Sequence, residues 1–403
     1  MNVFERLGVS TIINAKGPAT RLSGGIMRPE VAASMAEASQ HCVDIAELQA
    51  AASQAIAAVT GAEAGYVASG ASACLLLATA ACMAGLEPGR MARLPDTRGM
   101  KNEVIMVRSQ RNFYDHAIRA AGAQIVEVGL PDRYSGAGVR DAEAWEIDDA
   151  ITDRTAAVFY VADTQARPQL SEVVKIAHAR NVPVIVDAAA QLPPQSNLKR
   201  FIAEGADLVA FSGGKALGGP QASGFLCGKR DLIMSAALQH LDLDIFWDMW
   251  QPPAMLIDKS RLKGTPQHGI GRSCKAGKEE IIGLLTALHL FVAEGDKARH
   301  ARWLAAAREI ADGCSAIEGA SFIVQDAESI GSVPTVLVSL NRSVHAATEI
   351  IATLQNANPP IHVDPCFRDH NNILINPMCL KAGEAALVAT TLRKALSVSI
   401  PRQ

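Results

Sequence analysis

The chain has 403 residues, 49% of them hydrophobic and 20% charged, with 31 glycines and a formal net charge of −3. That length exceeds one simple core and predicts a large and a small domain, while the near-neutral charge excludes a chain-wide attraction to nucleic acid or anionic membrane. Eight cysteines lie scattered without C-x-x-C spacing or Cys/His clusters, which argues for reduced thiols in a cytoplasmic protein with neither a metal site nor disulfides.

The start of the chain, Met1-Asn-Val-Phe-Glu-Arg-Leu7, has no apolar signal-peptide core. Residues 1–55 are expected to form an arm and a helix that pack with the small domain. Ala64 to Leu86 carries no charge and is long enough to cross a bilayer. It also contains Gly65, Ser69, Gly70, Ser72 and Gly85, so a buried strand, turn and helix is the expectation. Beyond it, β-branched runs alternate with alanine-rich helical stretches, the pattern of a mainly parallel sheet covered on both faces. The expected strands are Ala64–Ala68, Glu103–Val107, Gln124–Val128, Ala156–Val161, Val182–Val186, Leu208–Phe211 and Gly224–Cys227. The expected helices between them are Ser72–Ala84, Tyr114–Ala121, Glu143–Ile151, Leu170–Arg180 and Leu198–Glu204. These make an α/β large domain over residues 56–265 with seven strands.

After about residue 265 the pattern changes, and residues 266–403 are assigned to a smaller α+β domain. Two amphipathic helices are expected at Lys278–Gly295 and Ala298–Cys314. A strand (Ser332–Leu340), a helix (His345–Leu354), a strand (Asn372–Asn376) and a last helix (Gly383–Leu396) follow. The apolar stretch Leu238–Leu256, with Phe246, Trp247 and Trp250, fits a subunit interface, a core helix or an active-site lid.

One short stretch carries the chemistry. The run Val184-Ile-Val-Asp187 ends an expected strand, and Phe211-Ser-Gly-Gly-Lys215-Ala-Leu-Gly-Gly-Pro-Gln221 follows with room between for one helix and one strand. A carboxylate at a strand end, then Ser-x-x-Lys in a glycine-rich turn, is how a protein holds pyridoxal 5'-phosphate (PLP). The Asp pairs with the pyridine nitrogen and the Lys forms the Schiff base. Lys215 is therefore the expected catalytic residue, serving as general base or acid once the substrate amine displaces it. Asp187 is expected to make the ring an electron sink for a carbanion at Cα. Ala189, in the Ala188-Ala-Ala190 run, lets the ring lie against the backbone, and Ser212 adds a hydroxyl to the phosphate. Upstream, Tyr66-Val-Ala-Ser69-Gly70-Ala71-Ser72 reads as strand, small-residue turn and helix start. Backbone N–H groups there make a phosphate cradle. Gln110, Phe113 and His116 are all candidates to cap the other face of the ring.

Substrate candidates are polar groups outside this set. The segment Gly264-Thr-Pro-Gln-His268-Gly-Ile-Gly-Arg272-Ser-Cys-Lys275-Ala-Gly-Lys278 suits an anionic substrate, a partner subunit's phosphate, or simply a basic helix start. Asn14, Thr20 and Arg21 near the N-terminus and Arg368 in a C-terminal loop are further anion-binding candidates.

The motifs together resemble fold-type I PLP enzymes of the selenocysteine synthase (L-seryl-tRNA selenium transferase) branch, in particular its shorter D-glucosaminate-6-phosphate ammonia-lyase-type members. The resemblance rests on Ile13-Asn-Ala-x-Gly-x-x-Thr20, Tyr114-Asp-His-Ala-Ile-Arg-x-Ala-Gly-Ala123, Val186-Asp-Ala-Ala-Ala-Gln-Leu-Pro193, the Lys215 turn, and Gly271-Arg-Ser-x-Lys-x-Gly-Lys-Glu-Glu280. It implies a homodimer or higher homo-oligomer and a PLP-dependent carbon–nitrogen lyase. The implied substrate is a small polar amino acid or amino sugar acid, which loses a β-hydroxyl and yields ammonia and a 2-keto acid. An amino-acid racemase or epimerase using the same carbanion, or a catalytically silent PLP-binding protein, are the alternatives. Two departures stand out. Relatives often carry Asp where this chain has Gly214. The tRNA-using members also have an extra N-terminal RNA-binding domain and need a basic surface, so selenium transfer to tRNA is not expected here. The strand at Asn372–Asn376 lacks the carboxylate-binding Arg of many aminotransferases, which argues against transamination.

Overall fold

A computed structural model describes residues 2–130, 142–266, 268–315, 317–326 and 332–397. In chain order the elements are β1 (Ile13–Ala15), α1 (Pro29–Ala38), α2 (Ile45–Thr60), β2 (Ala64–Ala68), α3 (Ala71–Ala84), α4 (Pro88–Arg93), β3 (Glu103–Val107), α5 (His116–Ala120), β4 (Gln124–Val128) and α6 (Ala144–Ala150). There follow β5 (Thr155–Val161), α7 (Leu170–Ala179), β6 (Val184–Asp187), α8 (Asn197–Ala203), β7 (Leu208–Ser212), β8 (Gly224–Gly228), α9 (Arg230–His240) and α10 (Lys278–Gly313). The last are β9 (Ala320–Gln325), β10 (Thr335–Leu340), α11 (Ala347–Gln355), β11 (Ile361–Val363), β12 (Asn372–Ile375) and α12 (Glu384–Ser397).

The chain divides into two units. The larger comprises Arg28–Leu192 and Ser196–Leu290, the smaller Met1–Met27, Pro193–Gln195 and Phe291–Gln403. This differs from the expected division at two places, since residues 28–55 and 266–290 group with the larger unit. For the first, the reason is polar as well as apolar. β2 is an edge strand, and α2 covers it: Gln49 donates through Nε2 to the Val67 carbonyl at 2.8 Å and accepts the Val67 N–H at 3.0 Å, while Ser53 Oγ accepts the Gly65 N–H at 3.0 Å. A strand edge left bare would expose unpaired N–H and C=O groups. Helix α2 itself starts on Asp44, whose carboxylate accepts from the N–H groups of Ala46 and Glu47, a cap that stabilises by about 1 kcal/mol.

In the larger unit seven strands form one sheet in the order β2-β8-β7-β6-β5-β3-β4. β3–β4, β3–β5, β5–β6 and β6–β7 pair in parallel, and β8 runs antiparallel to both β2 and β7. The edge strand β4 carries exposed Gln124 and Glu127, while the inner parallel strands β5, β6 and β7 are apolar over most of their length, as strands buried on both faces must be. Their side chains pack against α3, whose Cys74, Leu75, Leu77 and Met83 are buried, and against Ile233, Met234 and Leu238 of α9.

The expected interface or lid at Leu238–Leu256 divides into parts. Its first residues complete α9, Leu241, Leu243 and Leu256 are buried, and Trp247 and Trp250 pack on the core while Phe246 remains 76% exposed. The smaller unit holds a three-stranded antiparallel sheet, β12-β10-β9, and a separate parallel pair, β1–β11. Its core is built from Ile310, Val336, Val338, Leu354, Ile373, Val388 and Leu392. Helix α10 is broken at Gly295 (φ 70°, ψ 162°), where two separate helices were expected. No helix among the described residues is long and apolar enough to cross a membrane.

Candidate active site

Six of the seven strands end at one edge of the sheet, where open α/β sheets place their ligands. The register brings Ala68 and Ser212 on either side of Gly224, and Val161 beside Asp187. The Ser69–Ser72 turn, the Lys215 turn, Asp187 and Gln110 therefore all leave strands at this edge.

The Ser69–Ser72 turn depends on two glycines. Gly70 has φ 142°, a conformation closed to other residues, and it leads directly into α3, whose N-terminus no side chain caps. Gly224 lies beneath the turn. A Cβ there would stand 2.6 Å from the Ala71 nitrogen, 2.6 Å from the Gly70 carbonyl carbon and 2.8 Å from the Phe211 oxygen. The Ser69 N–H takes a different direction from its neighbours, donating to the Cys274 carbonyl at 3.1 Å. Any anion at this turn is thus left to the first N–H groups of α3. Ser69, Gly70 and Ala71 are half-buried and Ser72 is exposed.

Asp187 ends β6 and is 8% exposed. Burial raises its pKa, against the Ala189 N–H that donates to Oδ1 at 3.0 Å and the nearby Lys215 charge. Ala189 thus positions the carboxylate through its backbone. Lys215 is half-buried, and burial lowers its pKa more than Asp187 raises it. The turn that carries it closes through Gly218 N–H to the Lys215 carbonyl at 3.0 Å and Gly213 N–H to the Ser223 carbonyl at 2.9 Å. Gly214, where the resemblance leads to the expectation of Asp, packs against the opposite limb of this turn. A Cβ on it would stand 2.7 Å from Gln221 Cα and 2.8 Å from Gln221 Oε1.

Of the three ring-cap candidates, Gln110 alone is buried beside this edge. Its Oε1 accepts the Val161 N–H at 2.8 Å, which fixes the amide orientation, and its Nε2 is buried without a hydrogen-bond partner among the described residues. Phe113 is 90% exposed. His116 is exposed, and its Nδ1 meets Arg119 Nη2 at 3.0 Å. The substrate candidates scatter. Arg272 donates to the His240 carbonyl at 2.9 Å and pairs with Asp242 at 3.1 Å, so its guanidinium is engaged at the end of α9. His268 is exposed with φ 38°.

The remaining substrate candidates lie in the smaller unit. Thr20 and Arg21 form an exposed 3-10 turn, and Arg368 an exposed one near Asp369. Asn14, in the same unit, holds the N-terminal arm by donating to the Gly17 and Gly24 carbonyls at 3.0 and 2.7 Å. Sequence reasoning placed Gly224 only as a strand start and passed over His240. A glycine opening a strand just after the lysine turn was the available signal for the first. A histidine ending an apolar helix gives little signal for the second.

The model of the L-seryl-tRNA selenium transferase family matches residues 43–245. Over 98% of this chain and 97% of the relative, the sequence is 30% identical to the D-glucosaminate-6-phosphate ammonia lyase of Salmonella typhimurium. A solved structure of a D-glucosaminate-6-phosphate ammonia-lyase superposes with a TM-score of 0.81 at 29% identity, covering 99% of both chains. The chain is also 32% identical to a 5'-C-glycyluridine monooxygenase-decarboxylase of a Streptomyces species, over 96% of this chain and 90% of that one. Serine palmitoyltransferase with PLP superposes at a TM-score of 0.52 and 14% identity, over 95% of this chain and 87% of that one, a likeness of fold alone.

Three features of this edge fit PLP. Gly224 keeps open a cradle that a single Cβ would fill. Asp187 is a buried carboxylate whose charge burial disfavours, and a protonated pyridine nitrogen supplies the missing cation. Gln110 Nε2 is a buried donor in need of an acceptor. By family match, full-length identity, fold and cofactor fit, the chain belongs to the L-seryl-tRNA selenium transferase family of fold-type I PLP enzymes.

Proposed function

We propose that this enzyme is a PLP-dependent ammonia-lyase acting on a small polar amino acid or an amino sugar acid. The observation that carries the proposal is Lys215 and Asp187 at one strand edge within reach of each other's charge, a lysine whose protonated form burial disfavours and a carboxylate whose ionised form burial disfavours. When bound, PLP withdraws electrons from the bonds to the substrate's Cα. Lys215 Nζ, with its pKa lowered, is suited to take the Cα proton, and the resulting ammonium can hand a proton to the departing β-hydroxyl. Asp187 holds a proton at the pyridine nitrogen. The Ser69–Ser72 turn and Ser212 bind the phosphate, and Gln110 Nε2 donates to an oxygen of the bound ligand.

The overall reaction balances. Loss of water across Cα–Cβ leaves an enamine, which tautomerises to an imine. Water then hydrolyses the imine to ammonia and a 2-keto acid. Racemisation would need a second acid–base group on the other ring face. In the Gln110–His116 segment two side chains are buried: Gln110, an amide that does not titrate in the working range, and Asp115, which is committed to Arg111 and Arg119. The ammonia-lyase relatives are named for a phosphorylated amino sugar acid, and that class heads the substrate panel.

The test is to incubate PLP-loaded enzyme in D2O with amino acids and amino sugar acids, following ammonia, keto acid and Cα–H exchange together. Equal yields of ammonia and keto acid are expected from at least one substrate. Exchange without keto acid would make it a racemase, and an inert loaded protein would make it a silent PLP binder. Lys215→Ala is expected to lose both the visible cofactor absorbance and steady-state turnover.

A further inference from the structure

Beneath the Ser69–Ser72 turn lies a buried polar chain that the chemistry above does not use. Tyr66 on β2 is fully buried and His240 at the end of α9 is 2% exposed. The Tyr66 hydroxyl lies 2.9 Å from His240 Nδ1, and His240 Nε2 lies 2.9 Å from the Cys274 carbonyl oxygen. A carbonyl only accepts, so Nε2 carries the imidazole proton and Nδ1 accepts from the tyrosine. The same Cys274 oxygen also accepts the Ser69 N–H at 3.1 Å. Two donors, one from α9 and one from the turn, therefore converge on one carbonyl.

The 3-10 segment carrying Cys274, Ile270–Cys274, has little freedom to move. A Cβ on Gly271 would stand 2.5 Å from Leu77, 2.8 Å from the Gln239 carbonyl oxygen and 3.1 Å from His240 Cα. Arg272 clamps the same segment by donating to the His240 carbonyl at 2.9 Å. His240 thus grips the segment with both its side chain and its backbone. Burial presses its pKa down to about 4, which keeps the ring neutral and in the one tautomer that completes the chain.

We propose that His240 is a positioning residue for the phosphate end of the cofactor. With Tyr66 as its donor it pins the Cys274 carbonyl. That carbonyl draws the Ser69 amide away from the ligand and so aims the uncapped N-terminus of α3 at the phosphate. The inference rests on the reading that the Ser69–Ser72 turn binds phosphate, and the test separates the two. The full-length protein, stripped of cofactor, is titrated with PLP and with pyridoxal, which lacks the phosphate. Wild type should bind PLP far more tightly. Equal binding of the two would overturn the phosphate reading, and the proposal with it.

His240→Leu should lower the PLP-to-pyridoxal affinity ratio by about tenfold or more, the loss of one well-aimed hydrogen bond to a charged group, with pyridoxal binding little changed. His240→Gln, whose amide nitrogen can still donate to Cys274, should keep most of the ratio. A merely structural role would weaken both ligands alike and leave the ratio unmoved, and that result overturns the proposal. Should His240→Leu not fold, His240→Met carries the test. It offers Cys274 no N–H donor and should lower the ratio in the same direction. An unchanged ratio in His240→Met would likewise overturn the proposal.

Discussion

Gly224→Ala tests the cradle with one methyl group. The added Cβ stands 2.6 Å from the Ala71 nitrogen and from the Gly70 carbonyl carbon, and 2.8 Å from the Phe211 oxygen. The Phe211 side is held in the sheet, where Phe211 pairs with Phe225. The Gly70–Ala71 turn is the side that gives, and relieving the clash moves it by about 1 Å at a cost of about 1–3 kcal/mol. That shift takes the first N–H groups of α3 out of line with a phosphate. Losing one such bond to a charged group removes about 1.5–3 kcal/mol of binding, or about tenfold to a hundredfold in the dissociation constant of PLP. The assay is a PLP titration of stripped protein by absorbance, run beside thermal unfolding. Gly65→Ala is the control. It lies on the neighbouring strand, and the three atoms nearest its Cβ all belong to the Ile56 side chain, so it should lower Tm while leaving PLP affinity unchanged. If Gly224→Ala binds PLP within about twofold of wild type, or Gly65→Ala loses as much affinity, the cradle is not where the phosphate sits.

Asp187→Asn should retain the cofactor but slow turnover by about 10²- to 10⁴-fold, since an amide cannot hold the pyridine nitrogen protonated; steady-state rates with a normal visible spectrum check it. Gly214→Asp, which introduces the acid that the resemblance implies, should instead lower stability by about 1–3 kcal/mol, because its Cβ meets Gln221 Cα at 2.7 Å. Denaturant unfolding reads that loss, and an unperturbed Tm would refute the packing argument. Burial, helped by the Arg272 charge and opposed by the Cys274 carbonyl, lowers the His240 pKa from 6.5 to about 4. The unfolded chain therefore binds a proton that the folded one refuses. The stability is whole above the unfolded value and falls as pH drops from 6.5 toward 4, by about 3 kcal/mol at most. In His240→Gln that part of the pH slope should vanish from unfolding free energies measured across the window.

The sheet was legible because most of its strands are buried on both faces. Glu103–Val107 and Ala64–Ala68 form at the expected bounds as largely apolar runs between turn-forming residues, and Gln124–Val128 does so as an edge strand with Gln124 and Glu127 exposed. The placing of Asp187 and of the Lys215 turn at the sheet edge was legible for a related reason, since a strand end fixes where the chain emerges. Ile13–Ala15 and Ile361–Val363 escaped notice because three-residue strands carry no periodicity and pair across the whole chain. The first domain boundary was misplaced because α2 belongs with the larger unit through Gln49 and Ser53, polar residues that a hydrophobic pattern does not count. Gln110 was expected as one of three ring caps, yet its distinguishing feature, an amide with one end bonded to Val161 and the other buried alone, exists only once β3 and β5 are paired.

The residues shared with the relatives do not by themselves choose a reaction. An ammonia lyase and a monooxygenase-decarboxylase are both about equally similar to this chain across nearly its whole length. In the proposed function Lys215, Asp187 and the Ser69–Ser72 turn act on the cofactor, and their effect would weaken every bond to Cα in the same way. The bond that breaks is the one held perpendicular to the ring plane, and that orientation is set by groups gripping the substrate's carboxylate and side chain. In the larger unit such a group must lie near the strand edge, carry a donor, and not already be committed. Arg272 fails on the last count, held by His240 and Asp242, and His116 is exposed and tied to Arg119. Gln110 meets all three conditions: its carbonyl end is fixed on Val161 and its amide end is buried and unpaired. A donor rigid in that way discriminates by geometry, because leaving it unpaired costs about 1–3 kcal/mol. A substrate pose that offers it an oxygen is favoured over one that does not by the same amount, about tenfold to a hundredfold in occupancy. On the proposed function, selection among reactions in this chain therefore rests on an uncharged, well-held donor, Gln110, as much as on the cations that first draw attention in the sequence.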